Sequence, residues 1–309
     1  MKPSQLAPLD PADADYLLTN VRGFEPDWLL ALPYLNTENR AGHLAILAFA
    51  AEVMGTPGRV SQPMLGQIRL QWWREAIAEI FGDAAPRRHP VVTALTITCR
   101  DHQAAGLISD LLLLMIDGME PFLEEGEDHS IEEAISLRRS AYGSLSRALY
   151  VMNTTNRETS SGTNDQELEN SLEVLDKRFT EDLSHLVAAA HPSLTLQLSD
   201  GLLLHALAKS IFCEAVPLPE AGHELPSSRF ARSSCNNSDL HSDLAQTIAA
   251  WRTSTRTWAK ASSEDETEAF LAASLPLALI RPSQEQIRCV KHPWLQRWVL
   301  FRAVLRGAP

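Results

Sequence analysis

Cysteine is scarce in this 309-residue chain. The four residues, Cys99, Cys213, Cys235 and Cys289, lie far apart, and none forms a Cys-x-x-Cys pair. That excludes a disulfide framework and a thiolate zinc site. Phosphate-cradling loops of the GxxxxGK[ST] or GxGxxG kind are missing, as are the G-x-S-x-G elbow and H-E-x-x-H. His205, His223 and His241 do not stand at helical ligand spacing. No apolar run reaches the roughly 20 residues of a membrane span. The start of the chain lacks a basic segment followed by an apolar one, so no secretory signal is read and a cytoplasmic location is expected. Positive charge is short as well: 27 Lys and Arg against 39 Asp and Glu, a net charge of −12. A nucleic-acid partner, which needs a basic face, is not expected. The same balance disfavours electrostatic docking on anionic lipid and leaves at most peripheral membrane contact.

Period-two alternation is almost absent, whereas apolar residues at helical spacing recur throughout. Residues 1–24 read as a polar leader with a short helix signal at Ala14–Val21. Residues 25–309 read as one helical domain. Within it, 153–166 is polar and reads as a mobile loop, and 217–239, rich in Pro, Ser and Asn, reads as irregular. Asn39 is placed to cap the apolar helix Arg40–Met54. The heaviest element runs from Pro63 to about Phe81 and carries adjacent tryptophans, Trp72 and Trp73. Leu65, Ile68, Trp72 and Ala76 form one stripe, and Leu70, Trp73 and Ile77 a second. Adjacent helical positions point about 100° apart, so this helix should meet two neighbours, or one neighbour and a cavity.

In an all-α enzyme, acids four apart on facing helices can grip Mg²⁺ beside a diphosphate leaving group. Few pairs here qualify. Glu52 has Thr56 at that spacing, Asp117 has Pro121, and Glu120–Glu124 is interrupted by Pro121. Glu75 and Glu79 are four apart but lie near a polar helix end.

The order of segments resembles the squalene/phytoene synthase family. The likeness begins at Asp27-Trp-Leu-Leu-Ala-Leu and runs through Arg40 and Ala45–Glu52. It is strongest over Ser61–Ile77, with its Arg69-Leu-Gln-Trp-Trp-Arg74 core. It continues in His89-Pro-Val and Met115-Ile-Asp-Gly-Met-Glu120, and weakly in Gly143-Ser-Leu145 and Leu275–Pro282. Membership implies an all-α isoprenoid-synthase-type bundle around a central cavity, in which two acid-rich motifs of active members hold Mg²⁺ and prenyl diphosphates. Matched to those motifs, the chain retains at most Glu52 in the first, with Thr56 where a second acid belongs; Asp117 and Glu120 lie in a further matched segment, and Glu214-Ala215 stands where the second motif has Arg-Asp. Phe122 and Ala215 stand where further acids are expected.

One carboxylate cannot hold two or three Mg²⁺ ions beside a diphosphate. The resemblance therefore implies a divergent, non-catalytic member, isoprenoid-binding or assembly-factor-like, close to the family's complex I assembly branch. Its partner would be an isoprenoid or a protein, and no cofactor is expected. The alternative is an active prenyltransferase joining isoprenoid diphosphates head to head, with Mg²⁺ on Glu52, Asp117, Glu120 and Glu214 and with Arg69, Arg138 or Arg139 meeting diphosphate. A third reading is a plain scaffold whose cavity is filled by Trp72, Trp73, Phe49, Phe122 and Phe212. On any reading the residues around the site are Glu52, Arg69, Trp72, Trp73, Asp117, Glu120, Arg139 and Glu214. The helix at Pro293–Arg306 interleaves Trp294, Trp298 and Phe301 with Arg297, Arg302 and Arg306. It is a candidate partner or membrane surface, or a cap on the core.

Overall fold

The structure is a computed structural model that describes Leu6 and residues 8–35, 37–123, 131–154, 200–212, 238–261 and, with short interruptions, 267–309. Glu214, most of the loop expected at 153–166, and residues 217–237 lie outside the described residues.

The helix α3 (Arg40–Met54) is the centre of the molecule. Every one of its residues except Arg40 is buried. A helix apolar on all sides must be enclosed by others. Here the enclosure is α1 (Pro11–Phe24), α6 (Pro90–Cys99), α7 (Ala105–Asp117) and α8 (Ile131–Thr154). Asn39 does not cap α3 with its side chain. Its Nδ2 instead donates to Asn153 Oδ1 at 3.1 Å, and its carbonyl lies 2.8 Å from His43 Nδ1. The turn at 25–35 holds the short α2 (Trp28–Ala31) and a 3-10 turn, and α4 (Thr56–Arg59) follows α3 directly.

The segment read as a polar leader is part of the bundle. Asp10 caps α1 by accepting from the Ala12 amide at 2.8 Å, and a proline occupies its first turn. Ala14, Leu17, Leu18, Val21 and Phe24 then bury one face against α3 and α6. Of the acidic residues that make the segment look polar, Asp10 and Asp15 are exposed and Asp13 is half-buried.

The Trp-Trp helix, α5 (Pro63–Phe81), has the expected bounds. Its stripes do not behave alike. Leu70, Trp73, Ala76, Ile77 and Ile80 are buried, whereas Leu65 and Ile68 face solvent. The first stripe is thus a surface at its N-terminal end. Near that end Gly66 admits Leu123, whose methyl would lie 2.3 Å from an added Cβ.

Among the described residues the most extensive helix pairing is α7 with α8. Gly118, just past α7, makes their close approach possible: a Cβ there would sit 2.7 Å from the Ala141 amide nitrogen. A 3-10 turn at Glu120–Leu123 follows. Beyond it come α9 (Gly201–Phe212), α10 (Ser238–Ala261), a 3-10 turn at Leu275–Leu279 and α11 (Pro293–Arg306). One short antiparallel pair breaks the helical pattern: β1 (Ile280–Pro282) on β2 (Ile287–Cys289), with Arg281 opposite Arg288. Three-residue strands are too short for an alternation pattern to reveal. The core divides into a main cluster and a satellite one, where Leu300 and Ala303 of α11 pack with Leu271, Leu275 and Leu279.

Candidate functional site

Glu52 is one of two polar residues of α3 that the core encloses, and it is fully engaged. Its Oε1 accepts from the Tyr16 hydroxyl at 3.1 Å and from Asn20 Nδ2 at 2.8 Å, both on α1. Its Oε2 accepts from Arg59 Nη1 at 2.9 Å and Arg69 Nη2 at 2.5 Å. A carboxylate offers about four acceptor positions, and four donors occupy them. Burial pushes the Glu52 carboxyl up, but the Arg59 and Arg69 guanidinium groups and the hydrogen bonds outweigh it and hold it below the ordinary carboxylate range. Burial raises the Tyr16 hydroxyl, and the Glu52 charge raises it further. Thr56, four residues on from Glu52, is buried and donates its hydroxyl to the Glu52 carbonyl at 2.9 Å.

The second acid group is engaged in the same way. Arg74 Nη2 reaches Asp117 at 2.7 Å and Glu120 at 2.6 Å, with Nε adding a bond to Asp117 at 3.2 Å. Both carboxylates are about half exposed. Arg69 and Arg74 are five residues apart on one helix, hence about 140° apart around it. One therefore reaches back to α3 while the other reaches the end of α7. In this way α5 is tied to both acid-bearing segments by its own arginines.

The tryptophans meet edge-on, with centroids 4.8 Å apart, and then face different neighbours. Trp73 turns inward, its ring edge-on to Phe49 with centroids 5.3 Å apart. Trp72 is half-buried toward the loop before α6. There His89 meets it at 5.6 Å and the Arg87 guanidinium lies 4.8 Å over its ring. Arg87 is held in turn by Glu79 at 2.6 Å and Glu75 at 3.2 Å, the i,i+4 pair of α5. His89 also meets Trp73 and Tyr16 edge-on, and burial lowers its pKa. Among the described residues, Phe49 and Trp73 occupy space beside α5, and Phe122 is buried under the Arg138 guanidinium at 5.1 Å.

Arg139 is separate from these groups. It forms a forked pair with the fully buried Asp200, at 3.0 and 2.9 Å. The structure thus gathers Glu52, Arg69, Trp72 and Trp73 about the C-terminal end of α3 and the middle of α5. It joins Asp117 with Glu120 through Arg74, and turns Arg139 to another partner. Tyr16, Asn20, Arg59, Arg87 and Asp200 complete these clusters. None was singled out by sequence: each lies outside the segments that carry the resemblance, and Tyr16, Asn20 and Asp200 also have partners more than thirty residues away. Among the described residues no three His, Cys, Asp or Glu side chains approach as a metal site would require.

Comparison with known proteins adds kinship to this geometry. The model of the squalene/phytoene synthase family matches residues 21–188, more than half of the chain. The Bos taurus protein named NADH dehydrogenase (ubiquinone) complex I, assembly factor 6 is 27% identical over 130 residues, which are 42% of this chain and 38% of the relative. The Homo sapiens protein of that name is 25% identical over the same length. The matched part therefore spans about two fifths of these relatives' length. No solved structure matches the chain.

Proposed function

The chain belongs to the squalene/phytoene synthase family, and from that membership we propose that it is a divergent, non-catalytic member acting by binding, with a protein partner in an assembly role. The all-α isoprenoid-synthase-type fold expected from the sequence is the family's. The partner class is suggested by the name of the relatives, complex I assembly factor 6, at low identity.

One observation carries the non-catalytic reading: Glu52 is already ion-paired with two arginines of the chain itself, and Asp117 and Glu120 share a third, Arg74. Ionising a prenyl diphosphate requires concentrated positive charge on the leaving group. Mg²⁺ does not fit Glu52 as it is held, because binding there would displace two guanidinium groups and strand them beside an occupied site. The competing prenyltransferase reading needs those acids released.

The test is incubation of the purified chain with Mg²⁺ and farnesyl or geranylgeranyl diphosphate, following diphosphate release. Release is expected to stay at the protein-free background. Turnover at an enzymatic rate establishes the head-to-head prenyltransferase instead.

A further inference from the structure

The helix α11 is fourteen residues long, about 21 Å, and docks on the satellite core by Leu300 and Ala303. Its hold is reinforced by Tyr34, whose hydroxyl donates to the Arg297 carbonyl at 3.2 Å, and by Gln296, whose Nε2 donates to the Val290 carbonyl at 2.8 Å. Its outer side is strongly apolar. Trp294 is 69% exposed, Trp298 47%, Phe301 44% and Leu305 69%. Spaced at i, i+4, i+7 and i+11, these four share one line along the whole helix. Trp298 and Phe301 are in ring contact, with centroids 5.9 Å apart.

Arg302 and Arg306 each follow a stripe residue by one position, so they flank the line about 100° further round. There they meet Arg252 and Arg256 of α10 across a cleft of about 140 Å³. Four guanidinium groups thus line one opening. Arg252 is anchored to the Leu277 and Ile280 carbonyls, fixing the base of the cleft. Among the described residues no carboxylate or carbonyl holds Arg256, Arg302 or Arg306, all of which are exposed. In a chain of net charge −12, four clustered arginines beside an exposed aromatic line are a local reversal of the global balance. At physiological salt the Debye length is about 8 Å, so a surface held against this cleft feels these charges more than the distant acids.

We propose that α11 is a membrane-docking helix: it lies in the plane of an anionic bilayer with Trp294, Trp298, Phe301 and Leu305 in the interface and a lipid phosphate in the cleft of Arg252, Arg256, Arg302 and Arg306. Tryptophan beside a basic row is the composition that suits the boundary between headgroups and acyl chains. A bilayer also fits the shape, because the apolar line is a ridge along one helix and not a groove that would receive a peptide. No described helix is long and apolar enough to cross a membrane, so attachment would be peripheral. The inference stands whether or not the chain assembles a partner.

Flotation of the full chain with vesicles tests it, using phosphatidylcholine alone and an equal mixture with phosphatidylglycerol. The chain is expected to float with the mixed vesicles only, with a blue shift in tryptophan emission. The double variant Arg302→Gln, Arg306→Gln should weaken partition by about tenfold or more, since each basic residue at an anionic surface contributes a factor of about five. Trp298→Ser with Phe301→Ser should abolish it. These side chains are exposed, and circular dichroism checks that the fold survives. Ile68→Ser, in the exposed patch of α5, should leave partition unchanged. Failure to float with either vesicle, equal flotation with both, or indifference to the arginine variants would overturn the proposal. So would retention of a protein partner that depends on the same residues in the absence of vesicle binding.

Discussion

Glu52 illustrates how groups from several elements come to hold one buried acid. An acid in an apolar helix is costly unless compensated, so its presence in Ala45–Glu52 points to a partner or a metal. The partners are Arg59 and Arg69, with Tyr16 and Asn20 completing the shell. Replacing Glu52 by Gln would leave the arginines facing each other without an anion. The variant should lose about 3 kcal/mol of unfolding free energy in urea melts, the lower end for a broken buried pair because Arg69 keeps access to water. The pH dependence has a definite sign. The folded carboxyl titrates below its ordinary value of 4.5, so the unfolded chain binds more protons in that window. The stabilisation is complete above that value and is lost as pH falls through the folded pKa. Urea melts of the wild type from neutral to acid pH should show this loss, and Glu52→Gln should have a flatter acid limb.

At the scale of elements, α5 is the strut. Its inward residues fill the core, and its arginines reach α3 on one side and the end of α7 on the other. The bounds of α5 were legible from Pro63 and the apolar spacing, as were those of α3 and α11. Which of α5's two stripes is buried was not, since both have helical spacing and only the neighbours distinguish them. The close pairing of α7 with α8 depends on Gly118. A methyl group there would meet the α8 backbone, which cannot rotate away as a side chain can. Gly118→Ala should therefore destabilise the protein by about 1–3 kcal/mol in chemical denaturation. At Gly66, by contrast, the opposing atoms belong to the Leu123 side chain, which can move, and Gly66→Ala should cost less.

At the scale of the whole molecule, α1 closes the bundle. It covers α3 and α6 with five buried apolar residues and delivers two of the four groups on Glu52. A chain without residues 1–25 should fail to give a cooperative thermal transition, read by circular dichroism, because an otherwise fully apolar helix would lose one wall and Glu52 part of its shell. The sequence by itself determined the helical class, the bounds of the main helices and the family. Those follow from local spacing and composition, which need no knowledge of what lies across the core. Only the tertiary structure decided what neutralises the acids, that the acidic leader is a core helix, and that the aromatic line of Pro293–Arg306 faces outward beside four arginines. Each of these depends on a pairing between groups distant in sequence, such as Tyr16 with Glu52, Arg74 with Asp117, and Arg252 with Arg302. Ion pairs and clefts are made by such distances in space, and a linear pattern does not encode them. The Trp-Trp helix was recognisable from its own residues. That its arginines occupy the acids beside it became visible only when the chain was folded.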